Sequence, residues 1–334
     1  MNSSGPEQWR RRMISQKKLV VSNAPFLHCG AGVTERSYHI FLAALPATAV
    51  GLIRYGIPAL GVISLAVSSA IIWEYLFNRV AKRPLSIGDG NAALIGLLFG
   101  MLLPATMPWW AVIVGTFAAV VVGKQMFGGL GGNCFNPVML SMAMLMVSWS
   151  TFFDFEGMLV AYDFDFAISS PLVMAKHLKD FGPEAIDRFS TYNLLMGRQI
   201  GGIGATCGLG LIVGGIYLIL RGLIRWEISV SFLAGVALTA WIFNMANTDQ
   251  YAGPMIHLLS GYTLIGAFFL ATEDSSSPVN TIPMLLYGLL GGVLTVLIRN
   301  IGNYVDGVVF AILLINVANP LLDKIRPQSI GKAV

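Results

Sequence analysis

The chain has 334 residues, of which 55% are apolar and 37 are glycine, while only 11% carry a formal charge. Soluble domains run at about 25% charged residues, so this composition excludes a chain that clothes itself against water; the net charge of +4 comes from clusters beside apolar segments, which excludes a nucleic-acid reader. Apolar runs such as Leu209 to Leu220 are continuous rather than alternating, which excludes a transmembrane barrel.

At roughly 20 apolar residues per crossing, the chain reads as an all-α polytopic membrane protein with about ten transmembrane helices. Residues 1–38 are polar and basic, lack the short apolar core of a cleavable signal, and read as a cytoplasmic N-terminal segment. Helices are predicted over 39–55, 57–78, 89–106, 109–124 and 136–151, forming a first five-helix half within 39–151. A longer polar stretch, 152–200, carries Asp154, Asp163, Asp165, Lys176, Lys179, Asp180, Glu184, Asp187 and Arg188. Helices over 201–221, 227–245, 255–271, 282–299 and 304–321 form a second half within 201–322, followed by a tail at 323–334.

Most basic residues, among them Arg10 to Arg12, Lys82, Arg83, Lys124, Arg221, Arg225 and Lys324, fall on one side of this arrangement. That bias puts both termini in the cytoplasm and the 152–200 loop outside. An odd number of helices per half makes the two halves run in opposite senses. A faint internal likeness agrees: Phe127 to Pro137 and Asn300 to Gly307 each follow one apolar helix and open another with small and amide residues. Inverted repeats of this kind place broken helices near the midplane in transporters.

Several segments invite a functional reading. Lys124 to Pro137 holds four glycines in five positions, at Gly128, Gly129, Gly131 and Gly132, which no stable helix tolerates. It reads either as a cofactor or ion site lined by backbone N–H groups with Asn133 and Asn136, or as a close packing contact or a cytoplasmic turn. Asp89 precedes a helix that it can cap, and Trp109 and Trp110 suit an interfacial belt. Glu273 and Asp274, with a serine run, lie at the inner end of the 255–271 helix, either as functional intramembrane carboxylates or as solvated ones; Glu74 beside Trp73 carries the same two readings. His39 and His257 lack metal-ligand spacing and no metal is expected. Cys29, Cys134 and Cys207 are scattered, without a CxxC pair, which supports neither a disulfide framework nor a self-contained iron–sulfur site.

Taken together, Cys29 to Ser37, Gly88 to Gly90, Leu103-Pro104, Trp109-Trp110, Gly123 to Pro137, His257 to Gly261, Gly266 to Phe269 with Ala271-Thr272, and Gly307 to Leu314 resemble, in order over about residues 25–328, the RnfD subunit family of the Rnf electron transport complex. NqrB of the sodium-pumping NADH:quinone reductase is its sister family. The resemblance implies a multi-subunit redox pump of the prokaryotic cytoplasmic membrane. It would couple electron transfer between ferredoxin and NAD to Na⁺ or H⁺ translocation, with an FMN-bearing neighbour and iron–sulfur subunits as partners. This subunit would carry an FMN linked through its phosphate to a hydroxyl on the outer face, installed by a flavin transferase, and a non-covalent riboflavin deeper in the membrane. The flavin's own ring chemistry carries the electrons, and the protein positions and tunes it. The chain has no glycine fingerprint following a strand for a dinucleotide, so NAD binds elsewhere in such an assembly and the subunit is not active alone.

In that family the acceptor is a threonine directly before Pro-Leu. Here the matching residue is Ser170, before Pro171 and Leu172, with Ser169 as the alternative; Asp163 and Asp165 lie upstream, one residue out of register. Serine supplies the same hydroxyl, so either Ser170 carries the FMN or the chain holds flavin without a covalent bond or not at all. Asn133, Asn136, Gly129 and Gly131 are the possible contacts of the second flavin. Trp73 and Glu74 match the NqrB-like region associated with quinone-site inhibitors and are carried over as cavity candidates. Two alternatives stay open: an ion or solute channel on the same inverted-repeat plan, and a scaffold subunit without covalent flavin.

Overall fold

A computed structural model describes residues 32–159, 162, 164, 166, 169–182, 186 and 189–325. Cys29, Asp163, Asp165, Glu184, Asp187, Arg188 and most of the predicted N-terminal segment and C-terminal tail lie outside these. The described residues contain helix, turn and coil and no strand.

The first element, α1 (Val33–Val80), has 48 residues, which at about 1.5 Å per residue spans roughly 72 Å, more than twice a hydrocarbon core of about 30 Å. It is in fact two helices meeting at Gly56, whose φ of 68° and ψ of −148° lie where only glycine sits without strain. The predicted separation of 39–55 from 57–78 falls at this residue. A 3₁₀ turn (Ile87–Asp89) then leads to α2 (Asn91–Leu102), where Asp89 Oδ1 accepts the Asn91 N–H at 2.9 Å and so supports the helix start. α3 (Trp109–Phe117) widens into a π-helix over Ala118–Gln125, and α4 (Pro137–Ser148) follows.

Between α4 and α5 (Gly208–Leu220) the chain folds into short helices, among them Phe155–Met158, Pro171–Lys176, Leu178–Phe181 and Thr191–Leu195. The helix expected from residue 201 starts only at Gly208. Residues 203 and 204 are instead tied by their N–H groups to the carbonyls of Leu103 and Met101, at 3.0 and 2.9 Å. α6 (Trp226–Ala246) follows. The helix predicted over 255–271 is divided into α7 (Pro254–Leu259) and α8 (Thr263–Ile265), the latter running on as a π-helix over Gly266–Leu270. α9 (Thr281–Asn300) and α10 (Val308–Leu322) complete the chain.

α1, α6 and α9 are each long and apolar enough to cross a membrane, and α2 to α5 and α10 are shorter apolar helices. Hydrophobic side chains point both ways: Phe99, Phe232 and Tyr287 are fully buried, while Ile53, Ile57 and Leu220 are more than four-fifths exposed. A water-facing surface would not carry them, whereas acyl chains accept them. Gly288 and Gly292, four residues apart on α9, leave no room for a Cβ against α6, the small-residue contact by which membrane helices approach backbone to backbone. The chain is therefore a multi-pass helical membrane protein.

Candidate functional site

A cavity of about 380 Å³ lies at the end of the protein where the 152–200 loop folds. That volume is within the range of small-molecule sites. Its walls come from the end of α4, the loop, the stretch ahead of α5, the α7–α8 break and the turn before α10. Phe153, Phe155, Leu172 and Tyr262 give it apolar faces, and Ser170, Glu156 and Asp306 give it polar ones.

Ser170 stands directly ahead of the helix Pro171–Lys176 in extended conformation, because the following proline disfavours helical backbone there. Its hydroxyl does not cap that helix, and its N–H donates to Glu156 Oε1 at 2.8 Å. The hydroxyl is thus left to the cavity while the backbone is fixed. The helix is held from its other end: Lys176 Nζ donates to the carbonyls of Gly302, Asn303 and Tyr304 at 2.9, 2.6 and 3.2 Å, and burial lowers the Lys176 pKa from its ordinary 10.5. Ser169 is, like Ser170, partly buried.

The cavity floor is the α7–α8 break. Gly261 there has φ of 66°, and a Cβ on it would meet Leu172 Cδ1 at 2.5 Å, so glycine meets both the backbone and the space requirement. Asp306 Oδ2 accepts the Tyr262 N–H at 2.6 Å, and its Oδ1 accepts from Val308 N at 3.1 Å and from Arg299 Nη2 at 2.9 Å. Arg299, 2% exposed, reaches across the break to the His257 carbonyl and the Thr263 hydroxyl, both at 2.8 Å. The buried cation sits where α7 leaves its last carbonyls without intrahelical partners. These polar groups were missed in the sequence. The available signal was a charged pair, Arg299 and Asp306, seven residues apart between two apolar helices.

The other predicted residues gather elsewhere. Gly128, Gly129 and Gly131 take φ of 112°, 99° and 83°, so the glycine-rich segment is non-helical as read; Gly129 is buried and Gly131 exposed. Asn136 caps α4 through Oδ1, which accepts from Val138 N at 2.9 Å and Met139 N at 3.1 Å, while its Nδ2 donates to the Leu270 carbonyl at 2.9 Å. Asn133 Nδ2 donates to Phe135 O at 3.0 Å and to Glu273 Oε1 at 2.7 Å. Both amides therefore join the start of α4 to the end of the π-helix that follows α8.

Glu273 lies in the connection from that π-helix to α9, beyond the spanning helices. It also accepts from Ser275 and Ser276, each at 3.0 Å, and Arg36 is paired with its neighbour Asp274. Burial pushes the Glu273 carboxyl up to about 7, against the donors and the Arg36 charge that pull it down. A raised carboxyl holds its proton in the folded chain where the unfolded chain has lost it. Its contribution to stability is therefore full below pH 4.5 and is lost as the pH rises through about 7. Glu273→Gln is expected to flatten this part of the profile, by at most ~3 kcal/mol, in thermal melts run from pH 4.5 to pH 8; an unchanged slope would contradict the assignment.

Trp73 and Glu74 lie side by side on α1 but face different surroundings. Trp73 donates to Ile113 O at 3.2 Å and meets Phe117 edge-on. Glu74 is fully buried, and its Oε1 accepts from Ser86 Oγ at 2.6 Å, Lys124 Nζ at 2.9 Å and Gln125 Nε2 at 3.1 Å. It is a buried ion pair rather than a solvated carboxylate. Neither residue lines the cavity that contains Ser170.

Fold and site together define a polytopic helical membrane protein with a ligand-sized cavity under one long loop. The profile of the NQR2, RnfD, RnfE family matches residues 20–331. The chain is 35% identical over 328 residues to a Clostridium ljungdahlii protein named as a subunit of the proton-translocating ferredoxin:NAD(+) oxidoreductase complex, covering 95% of this chain and 98% of that one. It is 31% identical to the counterpart from the Na(+)-translocating complex of Acetobacterium woodii, over 95% and 96% of the two chains. Its identity to the corresponding protein of the ion-translocating oxidoreductase complex of Cronobacter sakazakii is 34%, over 93% and 98%. The chain belongs to the NQR2, RnfD, RnfE family.

Proposed function

We propose that this chain is the flavin-carrying membrane subunit of a redox-driven pump that couples electron transfer between ferredoxin and NAD to Na⁺ or H⁺ translocation. It crosses a prokaryotic cytoplasmic membrane ten times in two inverted five-helix halves, with both termini inside and the 152–200 loop outside. FMN is esterified through its phosphate to Ser170, with Ser169 as the alternative acceptor. A riboflavin is held without a covalent bond near Asn133, Asn136, Gly129 and Gly131. A flavin transferase acts during maturation, and an FMN-bearing neighbour and iron–sulfur subunits complete the electron path.

The observation that carries this reading is the placement of Ser170. Ser170, matched by family motif, lines a cavity whose apolar and aromatic faces, from Phe153, Phe155, Leu172 and Tyr262, suit a flat heteroaromatic ring. The ring supplies the redox chemistry when bound. Ser170 supplies the tether, Glu156 fixes the tether's backbone, and Tyr262 and Phe155 are placed to exclude water. The relatives' names support the pump, since each is called part of an ion-translocating oxidoreductase complex.

The test is mass spectrometry of the peptide spanning Asp165 to Lys176, from complex made in its own host. An FMN-sized adduct on Ser170, absent from Ser170→Ala, is the expected result. An unmodified peptide moves the function to a non-covalent flavin carrier or a scaffold.

A further inference from the structure

Ser170 leads directly into the helix Pro171–Lys176, which forms part of the cavity wall through Leu172 and Val173. That helix is held at a few points only. Pro171, Leu172 and Ala175 are its buried side chains. Ala175 belongs to a small satellite cluster with Leu194, Ala252 and Ile256. The far end of the helix hangs on Lys176, whose ammonium bonds the carbonyls of Gly302, Asn303 and Tyr304, and the near end on the Ser170 N–H bond to Glu156. A unit with so few buried apolar contacts opens more readily than the spanning helices beside it.

Docked in this way, the acceptor is closed to a second protein. Attachment of FMN, on which this inference rests, joins Ser170 Oγ to the FMN phosphorus as the P–O bond to AMP in a flavin dinucleotide breaks. AMP leaves with the bridging oxygen, the Ser170 proton passes to a base of the transferase, and no electron changes hands. Such a transfer needs the attacking oxygen, the phosphorus and the leaving oxygen in line, with the enzyme's own groups around them. A cavity of about 380 Å³ suits one small molecule and not a dinucleotide in the grip of another protein. An enzyme that selects this serine must also hold its neighbours, and Pro171 and Leu172 are buried.

We propose that the helix Pro171–Lys176 is a strap with Lys176 as its latch: it swings out to present Ser170 to the transferase and closes again over the attached flavin. Attachment then tracks the population of the open strap, as cleavage of a folded chain tracks its locally opened form. The attached ring, seated in the cavity against Leu172, favours the closed strap in turn, because whatever binds one state alone stabilises that state. Loading is thus followed by closure without any further signal.

The experiment takes the whole complex from a host that lacks the transferase and supplies flavin adenine dinucleotide and purified transferase. FMN on the peptide containing Ser170 is followed over time by mass spectrometry. Lys176→Met is expected to load about tenfold faster than the wild type, because bonds from a charged donor hold the closed form. Lys176→Arg, which still has N–H groups to give those carbonyls, should load at close to the wild-type rate. In the wild type, amide hydrogen exchange over residues 172–176 should be slower after loading than before it. Equal or slower loading of Lys176→Met, or exchange that loading leaves unchanged, overturns the strap while leaving the flavin on Ser170. Absence of the adduct from all three chains removes the flavin reading, and the strap with it.

Discussion

Replacing Lys124 with methionine is expected to cost about 3–5 kcal/mol, the penalty of leaving a buried carboxylate without its counter-charge. Lys124 is 2% exposed and Glu74 0%, so water does not reach in to compensate. Two neutral donors, Ser86 and Gln125, remain on Glu74 Oε1, while Oε2 has no partner in the native arrangement. The double variant Lys124→Met with Glu74→Gln removes both charges and should recover most of the loss. This follows because the native pair owes its place to mutual neutralisation and not to a large net gain over an uncharged pair. Denaturant or thermal unfolding of the purified protein, followed by tryptophan fluorescence, reads the difference. A Lys124→Met chain as stable as the wild type, or a double variant no better than the single one, would show that the pair is not enclosed as described.

The same pair shows why sequence reading stops where it does. Lys124 reads as one of many basic residues marking the inner side, and Glu74 as a carboxylate near a helix end. Their partnership depends on α1 packing against the π-helical end of α3, a tertiary contact between residues fifty positions apart. The break in α1 at Gly56, by contrast, is legible, because a run long enough for two crossings must turn within itself and glycine is the residue that permits it. The split between α7 and α8 is not. Within His257 to Thr263 the pair Ser260-Gly261 permits a break but does not require one, and what ties its two sides together is Arg299, far along the chain. Resemblance locates Ser170, whereas its cavity partners Glu156, Tyr262 and Asp306 come from three other segments that nothing in the local pattern joins. Asn133 and Asn136 stand out as amides beside glycines, yet their bonds to Glu273 and Leu270 emerge only once the two broken helices meet.

Arg299→Met is expected to be among the most damaging single substitutions, again by about 3–5 kcal/mol, and more damaging than Asp306→Asn. The asymmetry follows from how each group is satisfied. Without Arg299, the buried Asp306 carboxylate keeps only the Tyr262 and Val308 N–H groups, and the His257 carbonyl and Thr263 hydroxyl lose a charged donor together. Without the Asp306 charge, Arg299 still donates to that carbonyl and that hydroxyl, and an asparagine oxygen can still accept the Tyr262 or Val308 N–H. Because Asp306 and Tyr262 line the cavity beside Ser170 while Arg299 does not, the two variants also separate stability from site chemistry. Asp306→Asn should lower the unfolding midpoint less than Arg299→Met and change ligand retention in the cavity, because Arg299 keeps its other two acceptors. Paired melts and flavin-content measurements on the intact complex decide it, and the reverse order of midpoints would mean that the helix break is held open by something other than this arginine.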